Sequence, residues 1–230
     1  RGYFRLTCGG QSIVCRESLS ELTSAIAMSR CDDKALTHAI LTEAGLRMPR
    51  QILLGAADDP GELVDGFLRK VGRAVVKPVR GEQGAGVSVD LGTREEMLVA
   101  VENARRECDS VLLEQFVEGV DLRILVIGGE VVAAAVRKPA EILGNGKDTA
   151  RQLIEKQSRR REAATGGESR VPLDRETERC LAESGYGYDD VPPRGRTLRV
   201  RRGANLHTGG TIHDVTDTLN PVLAKAAIDA

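Results

Sequence analysis

The sequence predicts an α+β fold with two α+β lobes. Its 230 residues are enough for one large domain or two modest lobes. Residues 71–117 contain, in order, signals for a strand, a glycine-rich loop, a strand, a helix and a strand. We therefore divide the chain into an N-terminal lead-in (1–70), a small lid lobe (71–117) and a larger lobe (118–230).

The stretch Val71–Asp90 is the most informative part of the chain. Ala74–Val76 is a short apolar strand that runs into Lys77-Pro78, and a second strand alternates through Val87, Val89 and Leu91. The loop between them, 81–86, has three glycines, which let backbone N–H groups approach a phosphate, while the lysine adds a point charge. A plain hairpin with a flexible tip is the alternative. The pattern is neither a Walker loop nor a Rossmann turn.

The lead-in is predicted to be a hairpin followed by helices. Weak alternation around Gly9-Gly10 indicates the hairpin, and Ser18-Leu19-Ser20-Glu21 is a capping box that predicts a helix start. Leu46–Leu54 is predicted to lead into an edge strand, and Asp59-Pro60 to begin a further helix.

Asp32-Asp33-Lys34 is predicted to cap a helix, with Lys34 in its first turn. A cation at that end gains nothing from the helix dipole. The lysine at this position is explained either by an anionic ligand near the helix start or by an ordinary solvated place on the surface.

The lid lobe is predicted to end in a helix and a strand. Thr93–Glu96 forms a second capping box, and Met97, Val101 and Ala104 then face inward. Val111–Leu113 is a buried strand that runs into Glu114. A carboxylate at the end of an apolar strand is costly without a partner, which is either a ligand or a salt bridge at the sheet edge.

The larger lobe begins with a hairpin around Gly128-Gly129, which we expect to be mostly buried. Gly144–Asp148 has the composition of a mobile loop, and Thr149 or Asp148 is predicted to cap a helix that ends at Arg159–Arg161. Further signals predict a helix from Asp174, a strand over Thr197–Val200 and a helix from Asn220-Pro221.

A second glycine- and hydroxyl-rich turn, Thr208–Thr211, also suits phosphate oxygens. Five arginines lie within 194–202, without the interleaved aromatic residues that stack bases, so a carboxylate or phosphate site or a solvated strand face is favoured over nucleic acid. His207 and His213 lack carboxylates at metal-ligand spacing, and we predict no zinc site.

Composition excludes several classes of protein. The net charge of −1 gives no bulk attraction to nucleic acid or to an anionic membrane, and no apolar run reaches the length of a membrane span. Five scattered cysteines without a CxxC pair fit a reducing, cytoplasmic setting. Because the chain starts at Arg1 and not at Met, we interpret it as a piece of a longer protein.

Taken together, these motifs resemble those of the ATP-grasp ligases. The likeness lies in Asp33-Lys34, in Val-Val-Lys77-Pro, in the 81–86 loop and in Leu-Leu-Glu114-Gln-Phe-Val-Glu-Gly-Val-Asp121-Leu-Arg123. Residues 137–149 and 205–217 are similar to the cyanophycin synthetase branch, and residues 4–23 are most similar to N-acetylglutaminylglutamine synthetases. The resemblance implies the ATP-grasp fold, with the nucleotide between the two lobes.

The resemblance also implies roles for individual residues. Lysines hold the phosphates of ATP, the two glycine turns approach them, Glu114 bonds the adenine amino group, and Asp121 takes the ribose hydroxyls. The implied nucleotide-binding set is Lys34, Lys77, Gly81, Gln83, Gly84, Gly86, Glu114, Gln115, Val117, Asp121, Thr208, Gly209, Gly210 and Thr211. The implied catalytic set is Arg123, Arg137 and Arg202. His207 stands where we would expect a serine.

The implied chemistry joins a small carboxylate to the amine of an amino acid, through an acyl phosphate made with ATP and Mg²⁺. The family's metal ligands are expected after residue 230, so none is assigned here. Neither nucleic acid nor a membrane is an expected partner, and a homo-oligomer is left open. The alternative is a nucleotide-binding regulatory module without ligase activity.

Overall fold

A computed structural model describes residues 2–16, 19–81 and 84–230. Within these ranges the strands, in chain order, are β1 Tyr3–Cys8, β2 Gln11–Arg16, β3 Leu19–Ser20, β4 Gln51–Leu54, β5 Ala74–Pro78, β6 Ser88–Leu91, β7 Val111–Gln115, β8 Asp121–Ile127, β9 Glu130–Lys138, β10 Glu141–Leu143, β11 Thr197–Arg199 and β12 Thr211–Asp214. The helices are α1 Ala25–Asp32, α2 Lys34–Glu43, α3 Pro60–Val71, α4 Arg94–Arg105, α5 Ala150–Thr165, α6 Arg175–Glu183 and α7 Pro221–Asp229, with a 3-10 turn at Thr216–Thr218.

The lid lobe is an antiparallel sheet of order β4-β7-β5-β6, with α3 and α4 packed against it. The capping box at Thr93 is confirmed, since its hydroxyl accepts from the N–H of Glu96 and the Glu96 carboxylate accepts from the N–H of Thr93. The sheet and the two helices enclose one apolar core, whose largest fully buried members are Leu54, Val64, Val76, Met97, Val101, Val111 and Leu113. The edge strand β4 and helix α3 belong to this core, although the predicted lead-in ended at residue 70.

The larger lobe has a three-stranded sheet of order β12-β9-β8 and a β10-β11 pair. A second core forms where α5 and α6 cover β10 and β11, and its fully buried side chains include Ile142, Ile154, Leu181 and Leu198. Asp174 caps α6 through its Oδ1, which accepts from the N–H of Thr177, as predicted.

The β1-β2-β3 sheet is separate from both cores. β1 and β2 pair across Gly9-Gly10, which confirms the predicted hairpin. The helix predicted to begin in 18–21 does form, but it begins later, at Ala25, and is capped by Ser24, because Leu19 and Ser20 pair with β2. Ser18 itself lies outside the described residues.

Two other expectations need correction. α5 continues past Arg161 to Thr165 and ends at Gly166, whose φ of +63° gives the left-handed helix terminus that a glycine adopts without strain. The β8-β9 hairpin is not mostly buried, since Ala134 is its one buried residue and the others are half-buried or exposed; three of them, Asp121, Arg123 and Arg137, line an open cleft.

Candidate active site

Lys34 and Lys77 converge at the start of the glycine loop. Asp33 caps α2 through its carboxylate, which turns the Lys34 side chain toward β5, where Nζ donates to the carbonyls of Val79 (3.4 Å) and Gly81 (2.9 Å). Burial, and next the positive charge of Lys77, lower the pKa of Lys34. Two ammonium groups close enough to perturb each other are stabilised by an anion between them.

Glu114 lies beside Lys77 because β7 pairs antiparallel with β5, which sets Leu112 opposite Lys77 and Glu114 opposite Val75. The Lys77 Nζ donates to Glu114 Oε2 at 2.7 Å, and both side chains are largely buried, at 20% and 17% exposure. The sequence left open a ligand or a salt bridge as the partner of this carboxylate. The structure supplies the salt bridge.

The neighbouring members of the predicted adenine segment are less enclosed. The Gln115 side chain turns toward the edge strand, where its Oε1 accepts from the N–H of Arg50 at 3.4 Å. Val117 is 62% exposed beyond the end of β7. Together with Glu114, these residues form one rim beside the lysine pair.

A cleft of about 670 Å³ opens between the lid strand β6 and the larger lobe. Its lid wall includes Gly84, and its opposite wall includes Asp121, Arg123 and Arg137 from the β8-β9 sheet and Thr208 from the second glycine turn. Of the residues singled out from the sequence, these five therefore line one space, and Gly81 connects it to the lysine pair through the same loop. Gln83 lies outside the described residues.

Asp121 and Arg137 sit opposite each other in the β8-β9 register. The Arg137 guanidinium donates two bonds to the Asp121 carboxylate, Nε to Oδ1 at 2.9 Å and Nη2 to Oδ2 at 3.0 Å. This bidentate pair fixes the planes of both side chains. Arg123, two residues along on the same face of β8, presents a further cation to the cleft.

The second glycine turn is closely packed. A Cβ on Gly209, whose φ is +92°, would lie 2.5 Å from Val171 Cγ2, and a Cβ on Gly210 would lie 2.8 Å from two backbone carbonyl oxygens. Arg161 braces the turn by donating to the carbonyl of Gly210 at 3.0 Å. Only glycine fits at these two positions, and Thr211 begins β12 directly after them.

Part of the glycine loop approaches the segment that precedes the second glycine turn. A Cβ on Gly84 would come within 3.0 Å of the Asn205 side-chain nitrogen. Gly86, with φ +67°, backs onto α4, where a Cβ would lie 3.2 Å from the Cα of Ala104. Gly84 therefore lies close to the larger lobe, while Gly86 is packed on the lid lobe.

Arg202, a member of the predicted catalytic set, is not among the residues that line this cleft. Its guanidinium is ion-paired with Asp90 of β6 and, at 2.7 Å, with Glu183 of α6, beside a different cavity. Sequence reasoning missed Arg201, which does line the cleft and is held by Glu176 at 2.7 Å. Both arginines follow the end of β11, so alternation within that strand offered no signal to tell them apart.

Comparison with known proteins identifies the fold and the family. The sequence profile of the RimK-like ATP-grasp domain matches residues 31–157, more than half of the chain. The chain belongs to this ATP-grasp family. The matched range contains Lys34, Lys77, Glu114 and Asp121, whereas the Thr208–Thr211 turn lies after it.

Individual relatives extend the likeness beyond the matched range. The chain is 34% identical to the cyanophycin synthetase of Nostoc sp. (strain PCC 7120) over 209 residues, which is 89% of this chain and 23% of that protein. It is 32% identical to the glutathione biosynthesis bifunctional protein GshAB of Clostridium perfringens over 204 residues, 86% of this chain and 26% of the relative. The chain thus spans about a quarter of the length of these relatives.

Among solved structures, the bifunctional glutathione synthetase from Pasteurella multocida superposes with a TM-score of 0.55 at 21% identity. The match covers 99% of this chain and 31% of that one. It confirms the predicted ATP-grasp fold, with its mixture of helices and antiparallel sheets.

Two further observations describe the chain as a whole. Within residues 2–16, 19–81 and 84–230, no helix is long and apolar enough to cross a membrane. In the same ranges, no group of three or more His, Cys, Asp or Glu side chains is placed to hold a metal ion.

Proposed function

We propose that this chain is the ATP-binding part of an ATP-dependent carboxylate–amine ligase that forms an amide bond through an acyl phosphate. The observation that supports this most directly is the convergence of Lys34 and Lys77 beside Glu114 at the start of the glycine loop. A phosphate chain between the two ammonium groups would replace the carbonyl contacts of Lys34 and relieve the repulsion between the lysines.

The remaining nucleotide contacts follow the walls of the cleft. Glu114, Gln115 and Val117 would form the adenine side, and Asp121 the ribose side, with Gly81, Gly84 and Gly86 closing over the phosphates. The turn Thr208–Thr211 would face the transferred phosphoryl group or the acyl group. Asp121 is already oriented by the bidentate bond from Arg137, so its oxygens have a fixed direction before any hydroxyl arrives.

Bound ATP with Mg²⁺ would supply the phosphoryl group that activates the carboxylate. The residues of this chain would contribute positive charge. Lys34 and Lys77 would neutralise the phosphates, and Arg123 and Arg137 would face a carboxylate substrate along the cleft wall. The described residues fit the phosphates, but they offer no carboxylate cluster for the metal. We place the Mg²⁺ ligands after residue 230 and expect the 230 residues alone to bind nucleotide without turnover.

For the substrates we propose N-acetylglutamine and glutamine, which would give N-acetylglutaminylglutamine. The support is the resemblance of residues 4–23 together with the arginines along the cleft, which suit substrate carboxylates. All five cysteines are free thiols, which agrees with a reducing compartment such as the cytoplasm.

Calorimetric titration of the 230-residue chain with ATP tests the binding half of the proposal, and saturable binding near one nucleotide per chain is expected. The ligase half is tested by phosphate release from any longer natural polypeptide that contains the chain, given N-acetylglutamine and glutamine. Phosphate release with a different carboxylate–amine pair, and none with this one, would change the proposed substrates and leave the ligase assignment standing. Nucleotide binding without phosphate release from any carboxylate–amine pair would favour the regulatory module.

A further inference from the structure

The cleft contains a histidine whose ring has a defined orientation. His207 lines the cleft, and its Nδ1 lies 3.1 Å from the backbone carbonyl oxygen of Glu168. A carbonyl oxygen only accepts hydrogen bonds, so Nδ1 must carry the proton. In the neutral ring the lone pair is therefore on Nε2, the nitrogen farther from the backbone.

The backbone around His207 is held on both sides. Its N–H donates to Asn205 Oδ1 at 2.9 Å, and its carbonyl accepts from the N–H of Arg170 at 3.1 Å. The buried Ser169 hydroxyl donates to the carbonyl of Leu206 at 2.5 Å. These bonds hold the backbone that carries the exposed ring, and the bond from Nδ1 to the Glu168 carbonyl orients the ring itself.

The other charged groups that line the cleft in the described residues are poor proton acceptors. Arg123, Arg137 and Arg201 have no acceptor atom. The carboxylate of Asp121 is bonded to Arg137, and that of Glu176 is bonded to Arg201. A proton leaving a molecule in the cleft therefore has Nε2 of His207 as its best-suited acceptor.

We propose that His207 is the catalytic base that deprotonates the amine substrate, an inference that rests on the proposed ligase function. An amino acid reaches the enzyme as an ammonium ion, which has no lone pair for attack. Transfer of one proton from its nitrogen to Nε2 leaves a neutral amine and an imidazolium. The new C–N bond then forms at the acyl carbon, the C–O bond to phosphate breaks, and inorganic phosphate leaves with the electron pair while the amide nitrogen loses its second proton to it.

The step can be separated from acyl phosphate formation by choosing the nucleophile. Hydroxylamine is largely unprotonated at neutral pH, so its attack on an acyl phosphate needs no base and yields a hydroxamate. The variants are His207→Asn, whose amide N–H can still donate to the Glu168 carbonyl, and His207→Gln. The matched control is His213→Gln, which can keep the contact of that side chain with Thr211.

The assay uses the longest natural polypeptide that contains the chain. We expect both His207 variants to lose amide formation by about 10²–10⁴-fold, the range for a general base, with hydroxamate formation unchanged and the control unchanged in both. Equal loss of hydroxamate and amide, or no loss of amide, would overturn the role of His207 and leave the ligase proposal standing. Absence of hydroxamate from the unaltered protein would overturn the ligase proposal, and this inference with it.

A second measurement needs no turnover and uses the 230-residue chain. Long-range ¹H–¹⁵N spectra of the imidazole nitrogens report which nitrogen is protonated in the neutral ring. We expect the Nδ1–H form for His207, assigned by loss of its signals in His207→Asn. A neutral ring protonated on Nε2 would overturn the proposal, because Nε2 would then have no lone pair to accept a proton.

Discussion

Replacing Lys77 by alanine should weaken ATP binding by about tenfold to a hundredfold. A charge-assisted contact to a phosphate is worth ~1.5–3 kcal/mol, and each 1.4 kcal/mol is a tenfold change in Kd. The structure adds a second effect, because the change leaves the Glu114 carboxylate largely buried without the ammonium group that now lies 2.7 Å from it. We therefore expect the free energy of unfolding to fall as well, by about 1–3 kcal/mol.

The two effects are separated with a second substitution. Lys77→Ala with Glu114→Gln removes the unpaired charge and should recover part of the stability but none of the lost phosphate contact. Lys225→Ala is the matched control, since that lysine is 75% exposed and pairs with Asp229 on the last helix. Calorimetry gives Kd, and urea unfolding gives stability. A folded Lys77→Ala chain with the ATP affinity of the Lys225→Ala control would refute the placement of the phosphates.

Three further predictions follow from the geometry. Gly210→Ala should destabilise the fold by about 1–3 kcal/mol in urea unfolding, because its Cβ would meet backbone oxygens at 2.8 Å, whereas Gly203→Ala, with open space, should be tolerated. Burial raises the pKa of the Cys180 thiol to about 12, so alkylation near pH 8 should modify the exposed Cys8 and spare Cys180. Because this pKa in the folded protein lies above the ordinary 9.0, the contribution of the neutral thiol to the free energy of unfolding is fully present below pH 9 and is lost as the pH rises toward 12. ATP should raise the lowered pKa of Lys34, and a side-chain NMR titration that shows no upward shift would contradict phosphate contact.

Local signals in the sequence predicted most elements of the fold correctly. A capping-box motif predicts two specific hydrogen bonds between residues three positions apart, and both form between Thr93 and Glu96. The same signal misplaced a helix start at 18–21, where Leu19 and Ser20 pair with β2 and the helix begins only at Ala25. Because strand pairing depends on residues that are distant in the chain, backbone hydrogen bonds to a neighbouring strand can outweigh the local preference of a segment for a helix.

Long-range side-chain pairs were beyond the reach of the sequence. The motif order placed Lys77 and Glu114 in one lobe, but the register that brings them to 2.7 Å comes from the pairing of β5 with β7. Likewise, nothing in the spacing of Asp121 and Arg137 distinguishes a bidentate pair from two separate ligand contacts. The resemblance supplied the candidate site residues as a set, but it did not supply the bonds between them.

Arg202 shows that a cluster of charges along the sequence does not fix which of its members line the cleft. Its place beside Asp90 belongs to the contact between the lobes, where Arg179 also donates to the carbonyl of Val89 at 2.9 Å. Arg179 pairs with Glu96 of α4 across the same contact, and both of these side chains are partly exposed, so the pair contributes about 0–1 kcal/mol and weakens with salt. The Arg202–Asp90 pair is largely buried instead, and breaking it would leave a buried charge without its partner. These ion pairs hold the Arg202 guanidinium in the contact between the lobes, and the residue therefore lies outside the lining of the cleft.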